Sequence, residues 1–405
     1  MADKKVEIKH DDLFQYGVHL CLISGQAAAN FLPLVCYRPK KAIFLVSDEM
    51  TSQAKELKDA LSGAVPSMKI SEVAIGDGWD GERVYGAVYE ALVELEEEAP
   101  IVNVTGGTKI MAFAAITAAG DAGMPAFYLR TGDRNHQGSS STITIFPSGD
   151  MRKGKKHALA QYKLKIADYL AAYGYRIGKT KPDKALPKSR RELTEYLVGA
   201  NGFVKQAVPR LNERADFALD NAKRNKLQKL IAPLAPARDV CKSLPIENAL
   251  DELCAVCRDS GLLKIENDSL VFASEDARKY VAGGWLEEYV YDTLKRMGLD
   301  PVMDLKVERK GEREIDVAFM HKEKLYVIEC KSGALNRKTK ESHNIVYRLE
   351  TLRKLGGIES KLVLVSYQKV NVEIRSNSED ENIHIIEDGS LNNLEEHLAK
   401  LIAQP

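Results

Sequence analysis

The chain has 405 residues, enough for two to three domains of about 100–200 residues each, and its 44% hydrophobic and 29% charged residues are ordinary for packed globular cores. No run approaches the roughly 18 apolar residues of a bilayer-spanning helix, and the charged segment Met1–Asp12 lacks the apolar stretch of a secretory signal, so a cytoplasmic protein without membrane association is expected. The formal net charge is zero, which excludes a polycation built to coat nucleic acid, but Lys plus Arg against Asp plus Glu stand at 13 to 20 over residues 1–150, 24 to 15 over 151–275 and 21 to 23 over 276–405.

Residues 1–150 alternate in a βα rhythm. Short apolar runs read as buried strands at Val18–Ile23, Ala42–Val46, Val73–Ile75, Ile101–Val104 and Ala126–Tyr128, with helical patterns at Ser52–Ser62, Gly81–Glu97 and Thr108–Ala119. This predicts an α/β unit, a mostly parallel sheet with helices on both faces, and an edge strand at Thr142–Phe146. Residues 151–275 read as a helical middle, with helices at Ser189–Leu197, Asp216–Leu230 and Ala249–Ser260. A hairpin around Asn267-Asp268 gives that segment a winged-helix flavour. Residues 276–405 form a third pattern: a helix to Met297, strands at Leu305–Glu308, Glu314–Met320 and Leu325–Cys330, a helix through Arg348–Leu355, a strand at Leu362–Ser366 and a last helix near Leu391–Leu401.

The sharpest chemistry lies in EREIDVAFMHKEKLYVIECKSG, Glu312–Gly333. A period of two places Glu314, Asp316 and Ala318 on one face of a strand, and Ile315, Val317 and Phe319 on the other. On the next strand Glu329 and Lys331 share a face with Leu325 and Val327, opposite Tyr326, Ile328 and Cys330. A hairpin through His321–Lys324 then sets Asp316 beside Glu329 and Lys331. Two acids and a lysine at the end of an apolar hairpin are costly unless something binds there. A hard divalent cation, Mg²⁺ or Mn²⁺, suits carboxylate oxygens, and such an ion polarises a phosphodiester and activates water. An acid-x-Lys triplet alone is also compatible with a surface ion pair.

The arrangement resembles the PD-(D/E)XK nucleases of restriction-endonuclease-like fold, with Ile315-Asp316 in place of the literal Pro-Asp. The segment GGWLEEYV, Gly283–Val290, resembles that fold's first helix. The resemblance implies a further metal-site glutamate there, Glu287 in preference to Glu288. Leu286, Val290 and Leu294 form the apolar stripe of this helix, and Trp285 is expected in the core. Lys338 and Lys340 fall where a basic loop would meet a nucleic-acid backbone.

In the N-terminal third, NVTGGTKIM, Asn103–Met111, follows a buried strand and opens a helix. Gly106 and Gly107 permit close backbone approach, Thr105 and Thr108 offer hydroxyls, and Lys109 offers charge. Neither GxxxxGK[ST] nor GxGxxG is present, which argues against a nucleoside triphosphatase or a dinucleotide oxidoreductase. Ser24-Gly25-Gln26 follows the first strand with Asn30 one turn on, and Ser47–Thr51, including Met50, follows the second. Together these loops resemble the CARF domain, a Rossmann-like sensor of cyclic oligoadenylates.

The order of parts resembles the ancillary nucleases of type III CRISPR defence that join a CARF domain to a restriction-endonuclease-like domain. That resemblance implies a homodimer activated by a cyclic oligoadenylate, most often cyclic tetra-adenylate and less often the hexa-adenylate. It also implies metal-dependent cleavage of DNA, single-stranded or nicked in duplex, and/or of single-stranded RNA. Two alternatives remain: a CARF-type transcription regulator, which the basic middle favours, and a restriction or repair nuclease without a cyclic ligand. Six cysteines, at 21, 36, 241, 254, 257 and 330, are too sparse for a disulfide scaffold, and Cys254 and Cys257 read as apolar helix positions rather than a zinc pair. No HExxH or GxSxG occurs.

Overall fold

The computed structural model describes residues 13–131, 141–178, 187–225, 229–234, 244–309, 311–335, 340–353, 355–357 and 360–403. The first unit contains β1 (Val18–Leu22), α1 (Ala28–Tyr37), β2 (Lys41–Ser47), α2 (Thr51–Ala64), β3 (Lys69–Gly76), α3 (Gly81–Glu94), β4 (Pro100–Asn103), α4 (Lys109–Asp121), β5 (Ala126–Thr131), β6 (Ser141–Phe146) and β7 (Lys155–Ala158). The strands order β3-β2-β1-β4-β5-β6-β7. The first five pair in parallel, and β6 and β7 close the edge in antiparallel fashion. The sheet is covered on both faces, as the continuous apolar runs require. Cys21, Phe44 and Ile101 pack with Phe31 of α1 and Leu57 and Leu61 of α2. Leu20, Leu22 and Val102 pack on the other face with Val84 and Val88 of α3 and Met111 and Ala115 of α4.

The expected strands all form, and β7 adds a strand in the basic junction after Asp150 that the charge pattern did not suggest. Helix α1 runs through Pro33. A proline has no N–H for the carbonyl four residues back. That carbonyl, Ala29 O, instead accepts from the buried Asn103 Nδ2 at 2.9 Å.

The middle segment contains α5 (Ile166–Ala172), β8 (Arg176–Ile177), α6 (Lys188–Gly199), α7 (Gly202–Asn225), β9 (Ile231–Pro233), α8 (Leu244–Asp259), β10 (Leu263–Glu266), β11 (Ser269–Phe272) and α9 (Glu275–Lys279). The hairpin turns on Asn267 and Asp268, both at positive φ (47° and 54°), as a tight two-residue turn demands. Strand β9 joins it to make a three-stranded sheet. The segment is not wholly helical, since β8 leaves it to pair with the C-terminal sheet. Helix α7 starts at Gly202 rather than at Asp216 because it runs through Pro209. The carbonyl that Pro209 leaves without a helical donor, Lys205 O, accepts from Gln368 Nε2 at 3.2 Å. Cys254 and Cys257 are buried apolar positions, and the cysteines among the described residues are free thiols; Cys241 lies outside the described residues.

A π-helical turn (Tyr280–Gly284) leads into α10 (Trp285–Arg296). Then follow β12 (Val302–Glu308), β13 (Glu312–His321), β14 (Lys324–Lys331), α11 (Lys340–Arg353), β15 (Lys361–Ser366), α12 (Val372–Asp380), β16 (Ile383–Glu387) and α13 (Leu394–Ala403). The sheet orders β16-β15-β14-β13-β12-β8. Strands β14, β15 and β16 are parallel and the rest antiparallel. Trp285, Leu286, Val290 and Leu294 are buried in the core on one face, as expected from the stripe. On the other face Leu325, Val327 and the α11 residues Ile345, Leu349 and Leu352 share one apolar cluster with Phe31, Leu57, Tyr169 and Leu170. The two large sheets therefore share a core. Strand β16 and helix α12 were not anticipated, and Met1–Asp12 lies outside the described residues. No helix among the described residues is long and apolar enough to cross a membrane.

The centre of β1 holds a testable charge. His19 is fully buried, 5.6 Å from the Phe127 ring, and burial pushes its imidazole down to about 3. Unfolding restores an ordinary value near 6.5, so the unfolded chain binds the extra proton between these limits. This contribution to stability is present above about pH 6.5 and is lost as pH falls toward the folded value, at up to about 1.4 kcal/mol per pH unit. Denaturant unfolding at pH 7 and pH 5 should show a drop that shrinks by about 2 kcal/mol in His19→Gln. An equal drop in both proteins would place the acid sensitivity elsewhere.

Candidate functional site

Strands β13 and β14 pair from His321↔Lys324 to Val317↔Ile328, around a turn in which Lys322 and Glu323 both have positive φ (46° and 60°). The ladder stops there, one step before Asp316 would face Glu329. Asp316 Oδ2 instead accepts from the Cys330 amide at 2.7 Å, taking the place of a main-chain bond. This break changes one expected facing. Ile315 packs in the cluster that holds Ala318, not with Val317 and Phe319, because regular alternation does not persist through Asp316. The β14 facing is as expected: Leu325 and Val327 lie in one cluster, and Tyr326, Ile328 and Cys330 in the other.

The three residues come together. Asp316 is 8% exposed and Glu329 0%. Lys331 Nζ lies 2.9 Å from Glu329 Oε1. A group not foreseen joins them: Arg348 of α11 has Nη1 3.0 Å from Glu329 Oε1 and Nη2 3.8 Å from Asp316 Oδ1, and donates to Glu314 O at 3.2 Å. Burial, and then repulsion from Glu329, push the Asp316 carboxyl well above the usual range, against the pull of Lys331. Burial opposes the Lys331 charge, but Glu329 and Asp316 outweigh it and hold the ammonium above its ordinary value.

Asp316, Lys331 and Arg348 line a cleft of about 630 Å³, and the fully buried Glu329 is not part of its surface. The π turn forms a wall because Gly283, at φ 134°, lies against β14; a Cβ there would sit 2.3 Å from Ser332 Oγ. Asn212 of α7 bonds that same Ser332 hydroxyl at 2.9 Å. Glu287 lines the cleft, whereas the buried Glu288 pairs with Arg190 at 2.9 Å. The lining carries eight acidic residues (Glu213, Asp216, Asp276, Glu287, Glu288, Asp304, Glu314 and Asp316) against four cations (Arg278, Lys279, Lys331 and Arg348). The basic middle thus presents acids to this cleft. Among the described residues no three His, Cys, Asp or Glu side chains converge on a metal position. The hard oxygens of Asp316 and Glu329 still fit Mg²⁺ or Mn²⁺, which one or two carboxylates hold together with waters and substrate phosphates. Lys338 and the Lys340 side chain lie outside the described residues.

The second cluster lies where the strand order reverses, between β1 and β4, the place where doubly wound sheets bind ligands. Gly106 is required by space: a Cβ would lie 2.3 Å from Leu22 O. Gly107 has φ 80°. The polar residues divide into two groups. Asn30, Asn103, Thr105 and Thr108 are engaged inside the fold. Asn30 Nδ2 donates to Leu22 O (2.8 Å) and its Oδ1 accepts from Asn103 Nδ2 (2.8 Å). The Thr105 hydroxyl donates to Asn103 Oδ1 (2.6 Å) and accepts from Leu129 N (2.8 Å). The Thr108 hydroxyl donates to Gly78 O (2.9 Å) and caps α4 by accepting from Met111 N (3.1 Å). Gln26, Thr51 and Lys109 are exposed, Ser24 and Met50 are half-buried, and Ser47 is buried beneath Gly78. Helix α4 opens at Lys109 directly after its Thr108 cap, and the first amides of a helix suit an anion.

Asn103 serves four polar groups at once: Ala29 O, Asn30 Oδ1, Thr105 N and Thr105 Oγ1. Its loss strands buried partners at about 1–3 kcal/mol each. Asn103→Ala is expected to lower the melting midpoint by at least about 4 °C in a calorimetric scan. A wild-type midpoint would show that the network is not what holds these loops.

Comparison with known proteins adds two matches to sequence families. Residues 18–169 match the Card1 CARF domain, and residues 274–404 match the Card1-like endonuclease domain. No curated protein matches the chain. Among solved structures, Can2 from Sulfobacillus thermosulfidooxidans, determined in complex with cyclic tetra-adenylate, shares 24% identity at TM-score 0.74, covering 97% of this chain and 99% of Can2. Protein VC1899 from Vibrio cholerae shares 22% at TM-score 0.77, covering 95% and 97%. A type III CRISPR defence DNA nuclease activated by cyclic oligoadenylate shares 16% at TM-score 0.51, covering 91% of this chain and 47% of that one. The switch-point loops fall in the first matched segment and the buried carboxylates in the second, so one chain joins a segment of the Card1 CARF domain family to a segment of the Card1-like endonuclease domain family.

Proposed function

We propose that this protein is a nuclease of type III CRISPR defence that is switched on by a cyclic oligoadenylate and cleaves DNA and/or single-stranded RNA with a divalent cation. One observation carries the reading: in the segment that matches an endonuclease, a fully buried Glu329 pairs with Lys331, which lines an open acidic cleft together with Asp316. Asp316 and Glu329 hold Mn²⁺ or Mg²⁺, and Glu287, on the cleft wall, completes or supports the site. A cation so held polarises the phosphodiester and lowers the pKa of water beside it. Lys331 orients the attacking water and balances charge on the phosphoryl oxygens.

The ligand is cyclic tetra-adenylate, the molecule bound to the fold neighbour Can2; the hexa-adenylate is the second choice. Its phosphates meet the α4 amides and Lys109, and Ser24, Gln26, Met50 and Thr51 border it. Gly106 and Gly107 let it approach, while Asn30, Ser47, Thr105 and Thr108 support the loops from beneath. A homodimer suits this ring, because a two-fold pair of loops matches a two-fold ligand. Two large apolar side chains are exposed in this unit, Trp79 at 66% and Phe113 of α4 at 62%, and they support contact with a second copy. The working compartment is the cytoplasm.

The deciding experiment incubates labelled single- and double-stranded DNA and RNA with Mn²⁺, with and without cyclic tetra-adenylate. Cleavage is expected only with the cyclic ligand. Glu329→Ala should cost at least about 10³ in rate, roughly 4 kcal/mol of barrier, and keep ligand binding. Near-normal cleavage by that variant in excess Mn²⁺ would end the assignment. In calorimetry, wild type should bind one cyclic ligand per two chains and Lys109→Ala should bind it more weakly; unchanged affinity would remove the α4 loop from the ligand site.

A further inference from the structure

Arg348 stands against the same two carboxylates that the metal reading assigns to a cation. Its guanidinium spans both carboxylates, 3.0 Å from Glu329 Oε1 and 3.8 Å from Asp316 Oδ1. With Lys331 it sets two cations against the two carboxyls, one of them the fully buried Glu329. A divalent ion entering this quartet adds two positive charges beside two others, and one resident cation must withdraw. Lys331 is two residues from Glu329 on the same strand, with a side chain 24% exposed. Arg348 is on a separate helix, with a side chain 44% exposed, and its fork has room to leave.

The helix that carries Arg348 ends against the ligand loops. From Arg348 to Arg353 is roughly one and a half turns of α11. Beyond it Leu355 is fully buried in the shared core, and the Tyr169 hydroxyl donates to Gly356 O at 3.0 Å. Gly357 has φ 72°, and a Cβ there would lie 2.5 Å from Gln26 Oε1 and 2.6 Å from Tyr173 Oη. The Tyr173 hydroxyl in turn accepts from Ala28 N, at the start of α1, at 3.4 Å. The β1–α1 loop and the turn after α11 are thus in direct contact.

Resting on the reading of Asp316 and Glu329 as metal-holding carboxylates, we propose that Arg348 is a positioning residue that stands in for the cation in the idle protein. Movement of the Gln26 loop on binding a cyclic nucleotide is passed through Tyr173 and Gly357 to α11 and withdraws it. A ligand can drive this only by binding the withdrawn state more tightly, which ties the two sites by reciprocal linkage.

The test is a Mn²⁺ titration by calorimetry on the full-length protein without nucleic acid. In the absence of cyclic ligand Arg348→Gln is expected to bind Mn²⁺ about tenfold more tightly than wild type, within the usual span of coupling. Arg348→Lys, which keeps the charge, should stay within about threefold. Cyclic tetra-adenylate should tighten wild-type Mn²⁺ binding by a similar factor and add little to Arg348→Gln. Tyr173→Phe should lose most of that ligand-driven gain. Unchanged or weaker Mn²⁺ affinity in Arg348→Gln, with Glu329→Gln abolishing binding, overturns the role of Arg348 and leaves the metal site standing. Undiminished gain in Tyr173→Phe overturns the route. Full Mn²⁺ binding by Glu329→Gln overturns the metal reading itself.

Discussion

A carboxylate with no exposed surface, Glu329, is the constraint around which the C-terminal half is arranged. Taking such a charge out of water costs several kcal/mol unless opposite charges stand close by. Lys331 and Arg348 supply them at 2.9 and 3.0 Å. The strand ladder stops one step short of it, which turns the Cys330 amide toward Asp316 and leaves the two acids side by side. Gly283 lets the turn before α10 close on Ser332, and α7 reaches the same hydroxyl through Asn212. Elements far apart in the chain therefore converge on one buried charge.

A second constraint recurs in both halves. Among the described residues two helices, α1 and α7, carry a proline beyond the first turn, and each such proline deprives a carbonyl of its helical donor. In α1 the carbonyl of Ala29 is served by Asn103 from the next strand over, and in α7 that of Lys205 is served by Gln368 from beyond β15. Each repair joins a helix to a distant segment through a side-chain amide. The first sits under the ligand loops, and the second docks the middle of the chain on the C-terminal sheet. Lys205 reinforces the latter contact, with its ammonium 2.6 Å from Asp388 and 4.8 Å from the centre of the Tyr367 ring.

The two sheets are not beads on a linker. One apolar cluster runs from Phe31 and Leu57 through Tyr169 and Leu170 to Leu325, Leu349 and Leu364. Arg309 on the C-terminal side pairs with Glu56 of α2 at 3.0 Å, its guanidinium over the Tyr175 ring. Close-packed cores transmit small displacements because they lack the slack to absorb them. Communication between the switch-point loops and the acidic cleft therefore has a physical medium within one chain.

Local pattern was enough to determine much of this. Runs such as Leu20–Leu22 and Leu362–Val365 are apolar throughout because they are buried on both faces, and that is visible residue by residue. The adjacency of Asp316, Glu329 and Lys331 follows from a period of two and one short turn, and the glycines of the α4 loop announce a close approach, which Leu22 O makes. Tertiary structure alone decided the rest. Ile315 changed sides because the ladder breaks at Asp316. Helices α1 and α7 survived their prolines because distant amides serve the orphaned carbonyls. Thr105 and Thr108 turned their hydroxyls inward to partners that no local pattern names. Arg348 lies 19 residues beyond Glu329, on another helix, and only the packing of α11 on the sheet brings it to the carboxylates. Periodicity reports which face a residue is on; it carries no information about which remote group will meet it there, because that depends on how whole layers stack.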